Sequence, residues 1–204
     1  METTRLSEDL ERLAALIEAS PHNLVSRRGR EELRSRHIPE SVHLARELPR
    51  SEERLRLLDV GSGGGLPGLV IALERSDLHV ELLEARQKKV DFLRGASSQL
   101  GLAIPVHHGR AEDLVRSDLA DTFDVVTARA VAPLARLIPW TVAFLRPGGL
   151  LYAVKGERWE EELQDAAGAL LQAGATVAET PAMARGSAPL APRVVIIGRA
   201  KPTG

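Results

Sequence analysis

The 204-residue chain contains no cysteine, which excludes a disulfide framework, a thiolate zinc site and a cysteine nucleophile. Aromatics are almost as scarce: three phenylalanines, one tyrosine and two tryptophans leave few side chains on which nucleic-acid bases could stack. Trp140 and Trp159 read as packing residues. No apolar run reaches membrane-spanning length, and the polar opening Met1-Glu2-Thr3-Thr4-Arg5 leads into no signal-peptide core. A cytoplasmic protein is expected. The formal net charge of -1 argues against a general coat for nucleic acid, while leaving room for a local basic patch that reads one RNA site. Internal repeats and low-complexity tracts are absent, and no acid, base and nucleophile triad stands out. The length suits one compact unit, read as an N-terminal helical extension over 1–50 packed on a core over 51–204.

What the chain does have is concentrated in Leu57-Leu58-Asp59-Val60-Gly61-Ser62-Gly63-Gly64-Gly65-Leu66-Pro67-Gly68. A short apolar run bounded by charge reads as a buried parallel strand. A turn rich in glycine follows, and a helix is expected to begin at Leu66-Pro67, because the first helical turn tolerates the amide hydrogen that proline lacks. Such a turn lets backbone approach a ligand with no side chain between. Gly63 to Gly68 fits G-x-G-x-x-G, a weak dinucleotide signal by itself. Asp59 extends it to D-x-G-x-G-x-G, which resembles the first motif of the Rossmann-like S-adenosylmethionine-dependent methyltransferases. That cofactor has no pyrophosphate, and its ammonium and sulfonium groups favour an acid beside the loop.

The first fifty residues read as helical. Leu6, Leu10, Leu13, Ala14 and Ile17 recur at helical spacing over about 6–19. A second helix is expected from Arg30 to Leu48, divided or kinked at Pro39, with Leu33, His37, Val42, Leu44, Ala45 and Leu48 on its apolar side. From Leu55 onward strands and helices alternate, as in an open α/β sheet. Strands are expected at 55–60, 79–83, 105–108, 123–128, 150–155, 175–179 and 193–199. Helices are expected at 86–100, 131–145 and 157–173, with a tight turn at Arg146-Pro147-Gly148-Gly149 and a loop over Pro181–Pro192.

In such sheets ligands bind beyond the carboxyl ends of the strands. Glu84, Ala111, Glu112, Arg129 and Lys155 fall at such ends. Glu84 lies at the spacing where an acid meets ribose hydroxyls; a glutamate suiting the dipole of the next helix is the plain alternative. Ala111 and Glu112 suit an adenine, or simply an acidic helix start. Arg27, Arg28, Arg30, Arg34 and Arg36 form the most basic stretch, a candidate phosphate-facing surface including Arg27 and Arg28, or else a solvated face balanced by Glu31 and Glu32.

Asn23-Leu24, Arg36-His37-Ile38, the Asp59 to Gly68 string with its Leu-Pro-Gly ending, Ala128-Arg129-Ala130 and Tyr152-Ala153-Val154-Lys155-Gly156 occur together in this order. The set resembles the bacterial small-subunit ribosomal RNA guanine-N7 methyltransferase family, also called glucose-inhibited division protein B, over nearly the whole chain. The resemblance implies a class I methyltransferase fold: a mostly parallel seven-stranded sheet with helices on both faces and an N-terminal helical cap. It implies S-adenosylmethionine as cofactor, bound by Gly61, Gly63, Gly65, Leu66, Glu84, Ala111, Glu112 and Arg129. It also implies small-subunit ribosomal RNA, or the subunit, as partner. Asn23, Arg36, His37 and Lys155 join Arg27 and Arg28 as candidates for the RNA face; His37 reads equally as a core histidine, and Lys155 as a charge at a strand end. A monomer and no metal are expected. Position 64 is glycine where many relatives carry proline or alanine, a change expected to loosen the loop. Guanine N7 loses no proton on methylation, which accounts for the missing triad. Asp59 is read as adding to a negative field around the cationic product, an idea that fails if Asp59→Asn binds cofactor and turns over normally. A small-molecule methyltransferase, a nicotinamide-dependent oxidoreductase and a non-catalytic scaffold are the competing classes.

Overall fold

The computed structural model describes residues 7–180 and 191–201, so most of the expected Pro181–Pro192 loop lies outside the described residues. Helices α1 (Glu8–Ala19), α2 (Arg27–Glu31) and α3 (Ile38–Glu47) precede the sheet. Strand β1 (Arg56–Val60) leads through the glycine turn to α4 (Gly68–Glu74), then β2 (His79–Glu84), α5 (Gln87–Gln99), β3 (Val106–His108) and α6 (Ala111–Leu114). The chain continues through β4 (Phe123–Arg129), α7 (Leu134–Phe144), β5 (Leu145–Lys155), α8 (Trp159–Asp165), α9 (Ala167–Gln172), β6 (Ala175–Glu179) and β7 (Arg193–Arg199).

These strands form one sheet in the order β3-β2-β1-β4-β5-β7-β6. Pairing is parallel from β3 through β5, and β7 runs antiparallel to both β5 and β6. The expected seven-stranded, mostly parallel α/β architecture is therefore what the chain adopts. After β1 the chain builds one flank, then returns to place β4 on the other side of β1. That reversal opens a crevice at the carboxyl ends of β1 and β4.

Strand residues alternate between two apolar layers, as a period of two requires. Leu57, Leu82 and Val125 face α1, α3 and α4 in one cluster. Their neighbours Leu58, Leu83 and Val126 face α7 in the other. Leu13 and Ile17 of α1 and Leu33, Ile38 and Leu44 of the second helical stretch are fully buried in the first layer. Each such side chain contributes about 1.5–3 kcal/mol relative to exposure. Polar groups hold the cap as well. Buried Arg75, which follows α4, donates to the carbonyls of Ala45, Leu48 and Pro49 at 2.8, 3.2 and 2.9 Å. It thereby satisfies carbonyl groups at the end of α3 that have no helical partner.

Several boundaries differ from the sequence expectation. The single helix over 30–48 is α2, a π-helical turn over Leu33–His37, and α3. Pro39 sits in the first turn of α3, and the ladder widens just before it, with the His37 amide reaching the Glu32 carbonyl at 3.1 Å. Helix α4 begins at Gly68, not Leu66, because the Gly68 amide is held by the Asp59 carboxylate at 3.2 Å. Helix α7 begins at Leu134, after Pro133, and the residues before it form a loop. The Arg146–Gly149 turn is taken up within β5. The helix over 157–173 is broken into α8 and α9 at Ala166, which is fully buried in the second apolar layer.

Candidate active site

Two cavities open at the carboxyl edge of the sheet, separated by Ala130-Val131-Ala132-Pro133, which line both. Ala130 adopts φ +53°. A non-glycine residue in the left-handed region costs about 1–2 kcal/mol, and here it turns the chain sharply off β4 into the partition.

The first cavity, of about 320 Å³, is lined by Gly61, Glu84, Ala111 and Glu112 together with Arg136 and Trp140. The amides of Gly61 and Ser62 both donate to the Leu83 carbonyl, at 2.8 and 3.1 Å, pinning the turn to the end of β2. Buried Glu84 accepts from the Gly63 amide at 3.0 Å on one oxygen and from the Arg86 amide at 2.9 Å on the other. The acid and the glycine turn thus shape one another, while each carboxylate oxygen keeps lone pairs for a ligand. Gly61 needs to be glycine: its φ is +72°, and a Cβ would lie 2.6 Å from Val131 Cγ2 in the partition. Gly65 and Leu66 are buried in the loop and do not line the cavity. Trp140 packs against the second apolar layer as expected and also lines this cavity, with the Arg136 guanidinium 5.5 Å over its ring. Trp159 packs against the second apolar layer as expected.

Asp59 lines neither cavity. It is buried beneath the turn, accepting from Thr127 Oγ1 at 2.8 Å and from the Gly68 amide at 3.2 Å. Burial pushes its carboxyl up to about 6, the hydrogen bonds from Thr127, Ser62 and Gly68 oppose that, and the nearby Glu84 charge adds to it. The cap closes over the other side of the same turn. A Cβ on Gly64 would lie 3.3 Å from Leu24 Cβ, so glycine there accommodates the Asn23-Leu24 segment closely. Asn23 itself is exposed beside it.

The second cavity, of about 410 Å³, gathers Arg36, Glu40, Arg129, Lys155, Glu162 and Arg193. Arg129 lines this cavity and not the first. Its guanidinium donates to Glu40 at 2.8 Å and to the His37 ring, binding the end of β4 to the cap. Glu40 also accepts from Arg36 at 2.8 Å. Burial alone would push the Glu40 carboxyl up; the His37 and Arg36 hydrogen bonds and the charges of Arg129 and Arg36 outweigh it and hold the group at about 2. Burial lowers the Arg129 guanidinium from its ordinary value, against the pull of Glu40. Lys155, with only 8% of its side chain exposed, bonds Glu162 at 2.6 Å and the Ala132 carbonyl at 2.9 Å. It therefore braces the partition from behind.

Arg36, Arg129 and Lys155 are thus brought together, with His37 in contact through Arg129. Arg27 and Arg28 are not; they lie on exposed α2, paired with Glu31 and Glu32 four residues on. The sequence reading missed Glu40, Glu162, Arg193 and Arg136. Glu40 carried a usable signal, because it lies four residues after Arg36 on a helix face. Glu162 and Arg193 carried none locally. Among the described residues no cluster of metal-ligating side chains occurs, and no helix is long and apolar enough to cross a membrane.

Residues 7–191 match the family described as rRNA small subunit methyltransferase G. The chain is 45% identical over 183 residues to the ribosomal RNA small subunit methyltransferase G of Sorangium cellulosum, covering 89% of this chain and 76% of that protein. It is 45% identical over 130 residues to the protein of the same name from Mycolicibacterium smegmatis, covering 64% of this chain and 54% of that one. Among solved structures, an MtNAS variant in complex with S-adenosylmethionine superposes with a TM-score of 0.63 at 18% identity, over 94% of this chain and 72% of that one. That last likeness is one of fold alone.

Proposed function

This chain belongs to the rRNA small subunit methyltransferase G family, and from that premise we propose that it methylates N7 of one guanine in small-subunit ribosomal RNA, using S-adenosylmethionine. The observation that carries the reading is the shared partition. One wall, Ala130–Pro133, separates a cavity suited to the cofactor from a basic cavity suited to a nucleotide.

The first cavity fits the cofactor chemically. Glu84 has acceptor lone pairs for two adjacent ribose hydroxyls, the Gly61 backbone provides a floor that a Cβ would fill, and Ala111 and Glu112 flank the adenine side. Bound there, the cofactor supplies a methyl group activated by its sulfonium. Guanine N7 presents an in-plane lone pair and gives up no proton, so the chain needs no general base. Its work is to hold the base plane against the partition and to exclude water, which converts encounter into a fixed approach. Arg36, Arg129, Lys155 and Arg193 supply the positive lining for a phosphate or a carbonyl edge. The protein acts as a monomer in the cytoplasm on RNA of the small subunit. The reaction is tested with labelled S-adenosylmethionine and small subunits from a strain lacking this protein, followed by mapping of the label. Release of the label as N7-methylguanine from one position is expected. Cofactor binding without transfer would overturn the reading.

Gly61→Ala is expected to weaken S-adenosylhomocysteine binding about tenfold or more in calorimetry, since relieving about 1–2 kcal/mol of left-handed strain and the Val131 overlap displaces the partition. Unchanged affinity would contradict the placement of the cofactor.

On the RNA side, Arg27 exposes 96% of its side chain. Its pairing with Glu31, like that of Arg28 with Glu32, is a surface ion pair, weak in water and readily exchanged for phosphate. Arg27→Glu with Arg28→Glu should raise KM for subunits about tenfold, flatten its salt dependence and leave cofactor affinity intact. Equal loss of both affinities would sink the surface assignment.

A further inference from the structure

Two carboxylates line the basic cavity, and their hydrogen bonds divide their roles. Glu40 is spent: one oxygen takes Arg36, the other takes Arg129, and the side chain is 11% exposed. Glu162 is held by one oxygen only. Its Oε2 accepts from the Leu134 amide at 3.0 Å and forms an ion pair with Lys155 Nζ at 2.6 Å. Among the described residues its Oε1 has no partner, and 26% of the side chain is exposed. A hydrogen bond and an ion pair on one oxygen fix the carboxylate, and both partners belong to groups that brace the partition: Leu134 continues from it, and Lys155 holds the Ala132 carbonyl.

A fixed anionic acceptor in an otherwise cationic cavity is a reader of hydrogen-bond donors. Guanine carries two on one edge, N1–H and the exocyclic N2 amine, with N7 on the opposite side of the purine. Adenine presents a lone pair at N1, which a carboxylate repels. We propose that Glu162 is the specificity-determining residue of the acceptor cavity, its Oε1 accepting from guanine N1–H and N2–H and so selecting guanine over adenine. The proposal rests on the methyl-transfer reading above and deepens it. It also assigns Glu162 a part in the rate. In the reaction N7 forms the new bond with its lone pair, the methyl–sulfur bond breaks with its electrons going to sulfur, and the positive charge passes from sulfur to the purine. No proton moves. As the purine becomes cationic its N1–H becomes a stronger donor, so the contact with Glu162 tightens towards the transition state, the condition for lowering a barrier.

The test is Glu162→Gln, assayed with small subunits reconstituted with either guanine or inosine at the position mapped for the wild-type protein. Glutamine keeps an oxygen for Lys155 and the Leu134 amide, and places an amine where Oε1 stood, donor against donor. Turnover on guanine is expected to fall about 100-fold, the scale of lost hydrogen bonding to a charged acceptor, with S-adenosylhomocysteine affinity within about twofold of wild type. Inosine lacks the N2 amine. Wild-type turnover should drop about tenfold on it, whereas the variant should no longer distinguish the two bases. The inosine comparison on unaltered protein stands even if the variant folds poorly. Wild-type indifference to inosine, or a variant that keeps full turnover, would overturn the assignment. So would parallel loss of cofactor affinity and turnover with the base preference intact, which would make Glu162 a brace for the partition alone. Absence of any transfer by the wild type would instead take down the methyl-transfer reading itself, and this proposal with it.

Discussion

Replacing Glu40 with alanine is expected to destabilise the protein by about 3 kcal/mol in urea unfolding at neutral pH, the scale of breaking a buried pair from one side. Arg129 exposes 15% of its side chain and would lose the only carboxylate that it contacts among the described residues, leaving a largely desolvated cation. Arg36 would lose one of its two carboxylate partners. The acid limb of the stability curve carries a sharper signature. The folded-state carboxyl lies at about 2, below its ordinary 4.5. Stability from Glu40 is therefore fully present above pH 4.5 and is lost as pH falls through about 2. The gap between wild type and Glu40→Ala should close over that interval. A gap that stays constant would mean that packing, and not charge, explains the loss. Because Arg129 would keep only His37 as its contact on the cap, turnover on small subunits should fall at least about tenfold, with cofactor affinity less affected.

Asp59 is expected to show the opposite pH dependence. Its folded carboxyl is raised to about 6 from an ordinary 3.8, chiefly by burial. The folded state binds the proton more tightly than the unfolded chain, so the group's contribution is fully present below pH 3.8 and is lost as pH rises through about 6. The difference amounts to about 3 kcal/mol. Asp59→Asn removes this titration. Measured against the variant, wild type should be favoured near pH 4 and should lose about 3 kcal/mol of that advantage by pH 7. The asparagine retains one acceptor for Thr127 or Gly68 and forfeits the other, costing about 1 kcal/mol at every pH. Parallel curves for the two proteins would place the titration elsewhere. Asp59 and Glu40 are both buried carboxylates; Asp59 meets only hydroxyl and amide dipoles, whereas Glu40 meets two guanidinium groups. The sign of each shift follows from that difference.

Much of the fold was legible because it is written at short range. Leu10, Leu13, Ala14 and Ile17 are all buried where helical spacing put them. The strands appear within a few residues of their expected limits, except that β5 starts earlier, and Glu84 does lie beside the glycine turn. The breaks at Leu33–His37 and Ala166 were less legible, because hydrogen-bond register and inward packing decide where a helix yields. Asp59 reads from the sequence as a neighbour of the ligand; the fold puts it under the turn as an anchor.

The sequence by itself determined the order of strands and helices, the glycine turn with its acid at the end of β2, and the family resemblance, since each depends on residues close along the chain. Only the tertiary structure decided the basic cavity. Arg129 finds Glu40 across 89 residues, and Leu134 finds Glu162 across 28. Apolar periodicity states which face of an element is buried, but not which charge will meet it there. That partner is selected by the crossing of elements at the sheet edge, where a charge taken from water must find its opposite or a dipole.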